Sequence, residues 1–198
     1  MVKTNIGVIA FQGAISEHID IIKKAQQKKN IFGKVVNIKR KEQLKDIDRI
    51  IIPGGESTTI SKLLVQNNLF EIIKKKINEK ELYAMGTCAG CVLLSKKVLD
   101  DKKDIKLFNS IDIEVIRNYY GRQKDSFERK INIRNLTDSF NAVFIRAPAI
   151  EKIDKKCEIL SKYNEKIIMV RQDNVLALTF HPELTNDSRI HEYFLDMI

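Results

Sequence analysis

The chain has 198 residues, of which 43% are hydrophobic and 31% charged, with a formal net charge of +9. That length suits one domain and is short for two, and apolar residues recur along all of it, which excludes a disordered chain. No apolar run reaches the ~18 residues a membrane span requires. Lys3, Thr4 and Asn5 follow Val2 where a secretory signal would have its apolar stretch, so a soluble, cytoplasmic protein is expected. The excess of 35 basic over 26 acidic residues would suit a nucleic-acid binder. The lysines, however, sit on helix-like segments such as Lys23, Lys24, Lys28 and Lys29, with no aromatic residues between them to stack bases. They read as a solvated face. Three cysteines, Cys88, Cys91 and Cys157, do not make a disulfide framework. No repeat, low-complexity stretch or linker divides the chain, and residues 1–198 are expected to form a single domain.

In chain order, the apolar run Ile6 to Ala10 predicts a first strand, ended by Phe11-Gln12-Gly13. Ile15, Ile19, Ile22 and Ala25 then recur at helical spacing. Val35 to Ile38 and Ile50 to Ile52 predict two more strands, the latter stopping at Pro53-Gly54-Gly55. Ser57 or Thr58 is expected to cap a helix through Leu63 and Leu64. Leu69 to Ile77 continues helically, Leu82 to Met85 is a fourth strand, and Ala89 to Leu94 starts another helix. Alternation of this kind implies a parallel sheet with right-handed crossovers.

The second half differs. Ile111, Ile113 and Val115 alternate with Asp112 and Glu114 as in a half-buried strand, and Ile131 and Ile133 repeat the pattern. Val143 to Ile145, Ile159 to Leu160, Ile167 to Val170 and Val175 to Phe180 add strands, and Ile190, Phe194 and Met197 mark a closing helix. The expected fold is α/β: a three-layer sandwich with a central, mostly parallel sheet, helices on both faces, and antiparallel strands added from the second half. Ligands in such sheets bind at the carboxyl ends of strands.

Gly86-Thr87-Cys88-Ala89-Gly90 follows the fourth strand and opens a helix, a nucleophile elbow with cysteine in place of serine. Side chains at Gly86 or Gly90 would collide with adjoining backbone. The turn lifts Cys88 to a helix N-terminus, where the dipole favours thiolate, and leaves the Ala89 N–H to help bind an oxyanion. Cys88 and Cys91 also form a C-x-x-C, so a thiol-redox pair stands beside this reading, as does a buried structural cysteine. A zinc site would need a second ligand pair, which Cys157 and three histidines do not supply at a usual spacing. Cys91 is expected in the core.

His181-Pro182-Glu183 ends the last apolar strand. Residues i and i+2 of an extended chain point the same way, so Glu183 can hold the imidazole of His181, which in turn can serve as base for a cysteine on a neighbouring strand. His18 and His191 lie in helical patterns without such a partner and read as ordinary packed or surface residues. The order Cys, His, Glu argues against an α/β-hydrolase, where the acid precedes the histidine.

These residues resemble the Cys-His-Glu set of class I glutamine amidotransferases. Further blocks resemble the family of glutaminase subunits of pyridoxal 5′-phosphate synthase: Phe11-Gln12-Gly13-Ala14 with Glu17-His18, Pro53-Gly54-Gly55-Glu56-Ser57-Thr58-Thr59, Arg117-Asn118, Gly121-Arg122-Gln123 with Ser126-Phe127-Glu128, Phe144-Ile145-Arg146-Ala147-Pro148, and His181-Pro182-Glu183-Leu184. They run in family order from residue 6 to residue 184. The chain departs from many relatives at Leu107-Phe108-Asn109-Ser110, where these carry a glycine- and leucine-rich run.

The resemblance implies hydrolysis of L-glutamine to L-glutamate and ammonia through a thioester on Cys88. The ammonia would pass by a tunnel to a separate synthase subunit, in a hetero-oligomeric complex that builds pyridoxal phosphate. The subunit itself would need no cofactor and no metal, and no nucleic acid or membrane. Cys88, His181 and Glu183 would be catalytic. Gly55, Glu56, Ser57, Arg117, Ile145 and Arg146 would bind substrate, and Gly55, Ala89 and Gln12 would form the oxyanion region, Gln12 also standing at the partner interface. Activity is expected to be low without the synthase. The rival readings are an amidotransferase subunit serving another acceptor, of the histidine-pathway type, a non-catalytic relative, and the thiol-redox protein.

Overall fold

A computed structural model describes residues 3–100, 105–117, 119–120 and 126–197. Asn118 and Gly121-Arg122-Gln123, which carry part of the family resemblance, lie outside them.

Among the described residues the first half folds as strand and helix by turns: β1 (Ile6–Ile9), α1 (Ile15–Lys29), β2 (Val35–Ile38), β3 (Arg49–Ile52), α2 (Ser57–Gln66), α3 (Phe70–Asn78), β4 (Tyr83–Thr87) and α4 (Ala89–Leu94). The second half is strand-rich: β5 (Ser95–Val98), β6 (Ile111–Ile116), β7 (Phe127–Ile131), β8 (Phe140–Phe144), β9 (Ala149–Ile153), β10 (Glu158–Tyr163), β11 (Lys166–Gln172) and β12 (Val175–Leu178), closed by α5 (Arg189–Asp196). The main sheet runs β2-β1-β3-β4-β12-β11-β9-β6-β5, with β10 pairing β11, while β7 and β8 form a separate antiparallel ribbon. From β2 through β12 all pairings are parallel. Those of β11 with β12 and β9, and of β9 with β6, are antiparallel.

The parallel strands are apolar on both faces because both faces are covered. Ile50 and Ile52 of β3 pack with Ile60, Leu64, Phe70 and Ile73 from α2 and α3, whereas Ile51 between them packs with Ile22 of α1 and Phe194 of α5. The β7–β8 ribbon adds Phe140, Ala142 and Phe144 to the second layer. The three-layer fold expected from the sequence is the one observed. In β6 the alternation also holds, with Ile111, Ile113 and Val115 buried and their neighbours half-exposed.

Several local readings change. The cap of α2 is neither Ser57 nor Thr58 but Glu56, which has extended backbone and accepts the Thr59 N–H at 2.7 Å; Ser57 is already the first helical residue. Ile133 falls past the end of β7, and Ile145 past the end of β8. Two strands were not anticipated. β5 shows no apolar run because Lys96 and Lys97 are exposed between buried Ser95 and Val98, and β9 carries Glu151 and Lys152 outward. Among the described residues no helix is long and apolar enough to cross a membrane.

One buried polar side chain ties the C-terminus of α3 to the start of β4. The Asn174 amide, 6% exposed, donates to the carbonyls of Ile77 (2.8 Å) and Leu82 (2.7 Å). Asn174→Ala would leave both carbonyls without that donor, and should cost about 2–3 kcal/mol, read as a lower urea midpoint at unchanged slope.

Candidate active site

Because β1, β3, β4 and β12 are parallel, their carboxyl ends share one edge of the sheet, and each delivers a residue there: Gln12, Gly55, Cys88 and His181. β12 pairs directly with β4, with Leu178 opposite Thr87, so Cys88 and His181 emerge side by side although 93 positions separate their numbers. The Cys88 amide donates to the Leu178 carbonyl at 2.8 Å and the His181 amide to that of Val143 at the same distance.

Cys88 has φ 49° and ψ −104°, in the left-handed half of backbone space that residues with a Cβ avoid. The turn is held by backbone contacts. A Cβ on Gly90 would lie 2.0 Å from the Ile52 carbonyl oxygen, and one on Gly86 would lie 2.5 Å from the Gly90 carbonyl. The α4 helix begins at Ala89, so its first N–H groups have no intrahelical partner and face the site. Cys91, one turn on, is fully buried in the core, and burial pushes its thiol up.

His181 is hydrogen-bonded through Nδ1 to Glu183 Oε1 at 2.8 Å. A Cβ on Gly54 would stand 2.4 Å from His181 Cε1 and 3.3 Å from Cys88 Cβ, so the imidazole and the thiol crowd one point. Burial works to lower the His181 pKa, but the hydrogen bonds and charges of Cys88 and Glu183 outweigh it and raise the value to about 10. Burial would raise Glu183, yet His18 and the hydrogen bond to His181 hold its carboxyl below the usual range.

A cavity of ≈ 600 Å³ opens over this pair, lined by Gln12, Gly54, Gly55, Glu56, Ser57, Cys88, Ala89, Arg117, Ile145, Arg146, His181 and their neighbours. Every residue that the resemblance assigns to catalysis, substrate binding or the oxyanion region lies on its wall except Glu183, which stands behind His181. Gln12 Oε1 accepts the Glu56 N–H at 2.8 Å and so ties the end of β1 to the glycine loop, where Gly55 has φ 142°. Glu56 commits Oε2 to Thr59, at 2.7 Å to N–H and 2.9 Å to the hydroxyl. Burial would raise its carboxyl, but these bonds hold it down. Its Oε1 faces Arg117 at 3.9 Å, and Arg117 donates to the hydroxyls of Ser57 and Thr58 at 3.4 Å each. The Ile145 carbonyl lies 3.8 Å from the Cys88 sulfur, and Arg146 beside it has φ 46°.

The sequence profile of the SNO glutamine amidotransferase family matches residues 8–198. The chain belongs to that family. Among curated members, the pyridoxal 5′-phosphate synthase subunit PdxT of Pyrococcus horikoshii is 49% identical over 96% of this chain and 97% of its own. Its counterpart in Oceanobacillus iheyensis is 48% identical over 98% and 92%. A crystal structure of a glutamine amidotransferase superposes with a TM-score of 0.86 at 38% identity, covering 97% of both chains. A glutamine amidotransferase from Thermotoga maritima, at 12% identity and a TM-score of 0.63 over 98% of this chain and 90% of its own, shares the fold.

The sequence alone gives His18 and His191 no role beyond packing or surface. His18 and His191 are fully buried, and His18 Nε2 lies 3.4 Å from Glu183 Oε2. The signal was present: His18 falls three residues after Ile15 and four before Ile22, on the buried stripe of α1. The geometry also fixes a titration. In Cys88→Ala the sulfur's contribution to the raised His181 pKa is gone, so the imidazolium should be lost at lower pH than in the parent, as followed by the imidazole proton shifts in NMR.

Proposed function

We propose that this chain is the glutaminase subunit of a pyridoxal 5′-phosphate synthase, and that residues 1–198 act as one glutamine amidotransferase domain. The observation that carries the chemistry is the cluster at the carboxyl ends of β4 and β12, where the His181 imidazole is hydrogen-bonded to Glu183 and crowds the same point as the Cys88 thiol. The identity to PdxT subunits over nearly the whole chain supports the acceptor system.

In this reading the Cys88 sulfur, its proton taken by His181, attacks the side-chain amide carbon of glutamine. The amide oxygen becomes an oxyanion, received by the N–H groups of Ala89 and Gly55, with Gln12 holding the glycine loop; one such donor is commonly worth about 10²-fold in rate. His181 then gives its proton to the departing nitrogen. Ammonia leaves, and a glutamyl thioester remains on Cys88. Water, deprotonated by His181, cleaves the thioester to glutamate and restores the thiol. Glu183 keeps the imidazole oriented throughout. The α-amino acid head is bound by exchange: Arg117 and Glu56, 3.9 Å apart, separate their charges onto the α-carboxylate and the α-ammonium, with Ser57, Ile145 and Arg146 lining the pocket. Released ammonia goes to the synthase subunit in a hetero-oligomeric complex, and docking of that subunit orders the loop of Gln12 and Gly55.

Ammonia release from glutamine, measured with and without the cognate synthase, tests this. The rate should rise when the synthase is added, and Cys88→Ala should lose about 10³-fold or more while still binding the synthase. Cys91→Ser should keep its activity apart from a packing loss. Loss of function in Cys91→Ser with retention in Cys88→Ala would instead favour redox chemistry.

A further inference from the structure

Behind the three residues assigned to catalysis lies a second row that the mechanism above does not use. Glu183 is 4% exposed, and its Oε2 has no hydrogen-bond partner among the described residues. The polar atom facing it is His18 Nε2, at 3.4 Å from α1, with the Thr87 hydroxyl of β4 at 3.3 Å from the same nitrogen. On the far side of that ring, His18 Nδ1 lies 3.4 Å from His191 Nε2 of α5. His18, His191 and the Glu183 side chain are 0% exposed. Among the described residues no group of His, Cys, Asp and Glu is arranged to hold a metal ion.

The arrangement of those protons follows from the carboxylate. An ionised Glu183 only accepts hydrogen bonds. A lone pair on His18 Nε2 would face it across 3.4 Å in a low-dielectric interior and be repelled, so Nε2 carries the hydrogen. The neutral ring then presents Nδ1 as an acceptor, and His191 must supply a hydrogen from Nε2. His191 Nδ1 is left as a lone pair, in keeping with its lack of any partner among the described residues. In this arrangement His191 donates to His18 and His181 donates to Glu183 Oε1, while the Nε2–H of His18 meets the Thr87 hydroxyl at 3.3 Å and stands 3.4 Å from Glu183 Oε2.

We propose that His18 is a positioning residue for the glutaminase reaction, holding the second oxygen of Glu183 so that the first stays aligned on His181, and that His191 fixes the tautomer in which His18 can do so. This rests on the glutaminase reading above. Burial lowers the pKa of His18, against the pull of Glu183 and with the push of His181, and burial takes His191 down to about 3, so both rings are neutral donors. The groups facing the cluster are Glu183, His181, His191, Thr87 and, on α1 itself, Glu17.

Two measurements decide it, on the enzyme with its cognate synthase and on the isolated chain. Steady-state glutamine hydrolysis by His18→Phe should show kcat lowered on the order of 10- to 100-fold with little change in KM. The acid limb of its pH profile should move to higher pH, because Glu183 without this donor protonates sooner. His18→Gln, which can present an amide N–H at the Nε2 position, should restore most of the rate and return the limb. A loss of packing alone would lower kcat equally at all pH values, and that result, or an unaltered kcat, would overturn the proposal. Should His18→Phe fail to fold, nitrogen-15 spectra of the unmutated protein carry the test. His18 and His191 are expected as neutral Nε2–H tautomers at neutral pH, and an Nδ1–H tautomer for His18 would overturn the assignment. If the unmutated complex releases no ammonia from glutamine, the glutaminase reading falls, and the spectra still decide the hydrogen-bond chain.

Discussion

Leu178 lies opposite Thr87 in a parallel ladder, and its carbonyl accepts the amide hydrogen of Cys88 at 2.8 Å. This pairing joins the middle of the chain to its far end and sets where everything chemical can stand. Were β12 shifted along β4 by one residue, its side chains would exchange faces and His181 would turn away from the sulfur. The ladder is secured from both layers, since Ala177 packs with the α2–α4 side and Leu176 and Leu178 with the α1–α5 side. The antiparallel extension serves the same end. β11 sits against β12 and closes what would otherwise be an edge next to the site.

On that frame the elbow holds a backbone geometry that an isolated peptide would avoid. Cys88 keeps its positive φ because the neighbouring backbones interlock at Gly86 and Gly90, and nothing larger than hydrogen fits there. The strain is local and its effect is directional: it presents the sulfur to the imidazole and to the first N–H groups of α4 together. The glycine loop after β3 approaches from the other side. Gln12, by accepting the Glu56 N–H, ties that loop to the end of β1.

How much of this is written in the sequence depends on the range of the interaction. Local signals were legible: the helical stripe of α1, the all-apolar buried strands, the strand-to-helix elbow, and the i, i+2 relation of His181 and Glu183. Glu56, Ser57, Arg117, Ile145 and Arg146 on the cavity wall were legible only through their likeness to a family, because no spacing rule links Arg117 to Glu56. Features set by tertiary packing were missed. Lys96 and Lys97 hide β5, since an edge strand needs few apolar residues. The α2 cap passed to Glu56, whose longer side chain reaches Thr59 while Ser57 turns inward. His18 was passed over because its partner, Glu183, is 165 residues away and comes into range only once α1 is laid on the sheet.

In the proposed reaction the Cys88 sulfur becomes covalently attached to the substrate. The most direct measurement is peptide mapping by mass spectrometry after glutamine turnover by the complex is quenched with acid. It should find one glutamyl group on the peptide that holds Cys88, absent when His181 is replaced by alanine and absent from the peptides of Cys91 and Cys157. Turnover without any adduct on Cys88, or with the glutamyl group on another residue, would contradict it.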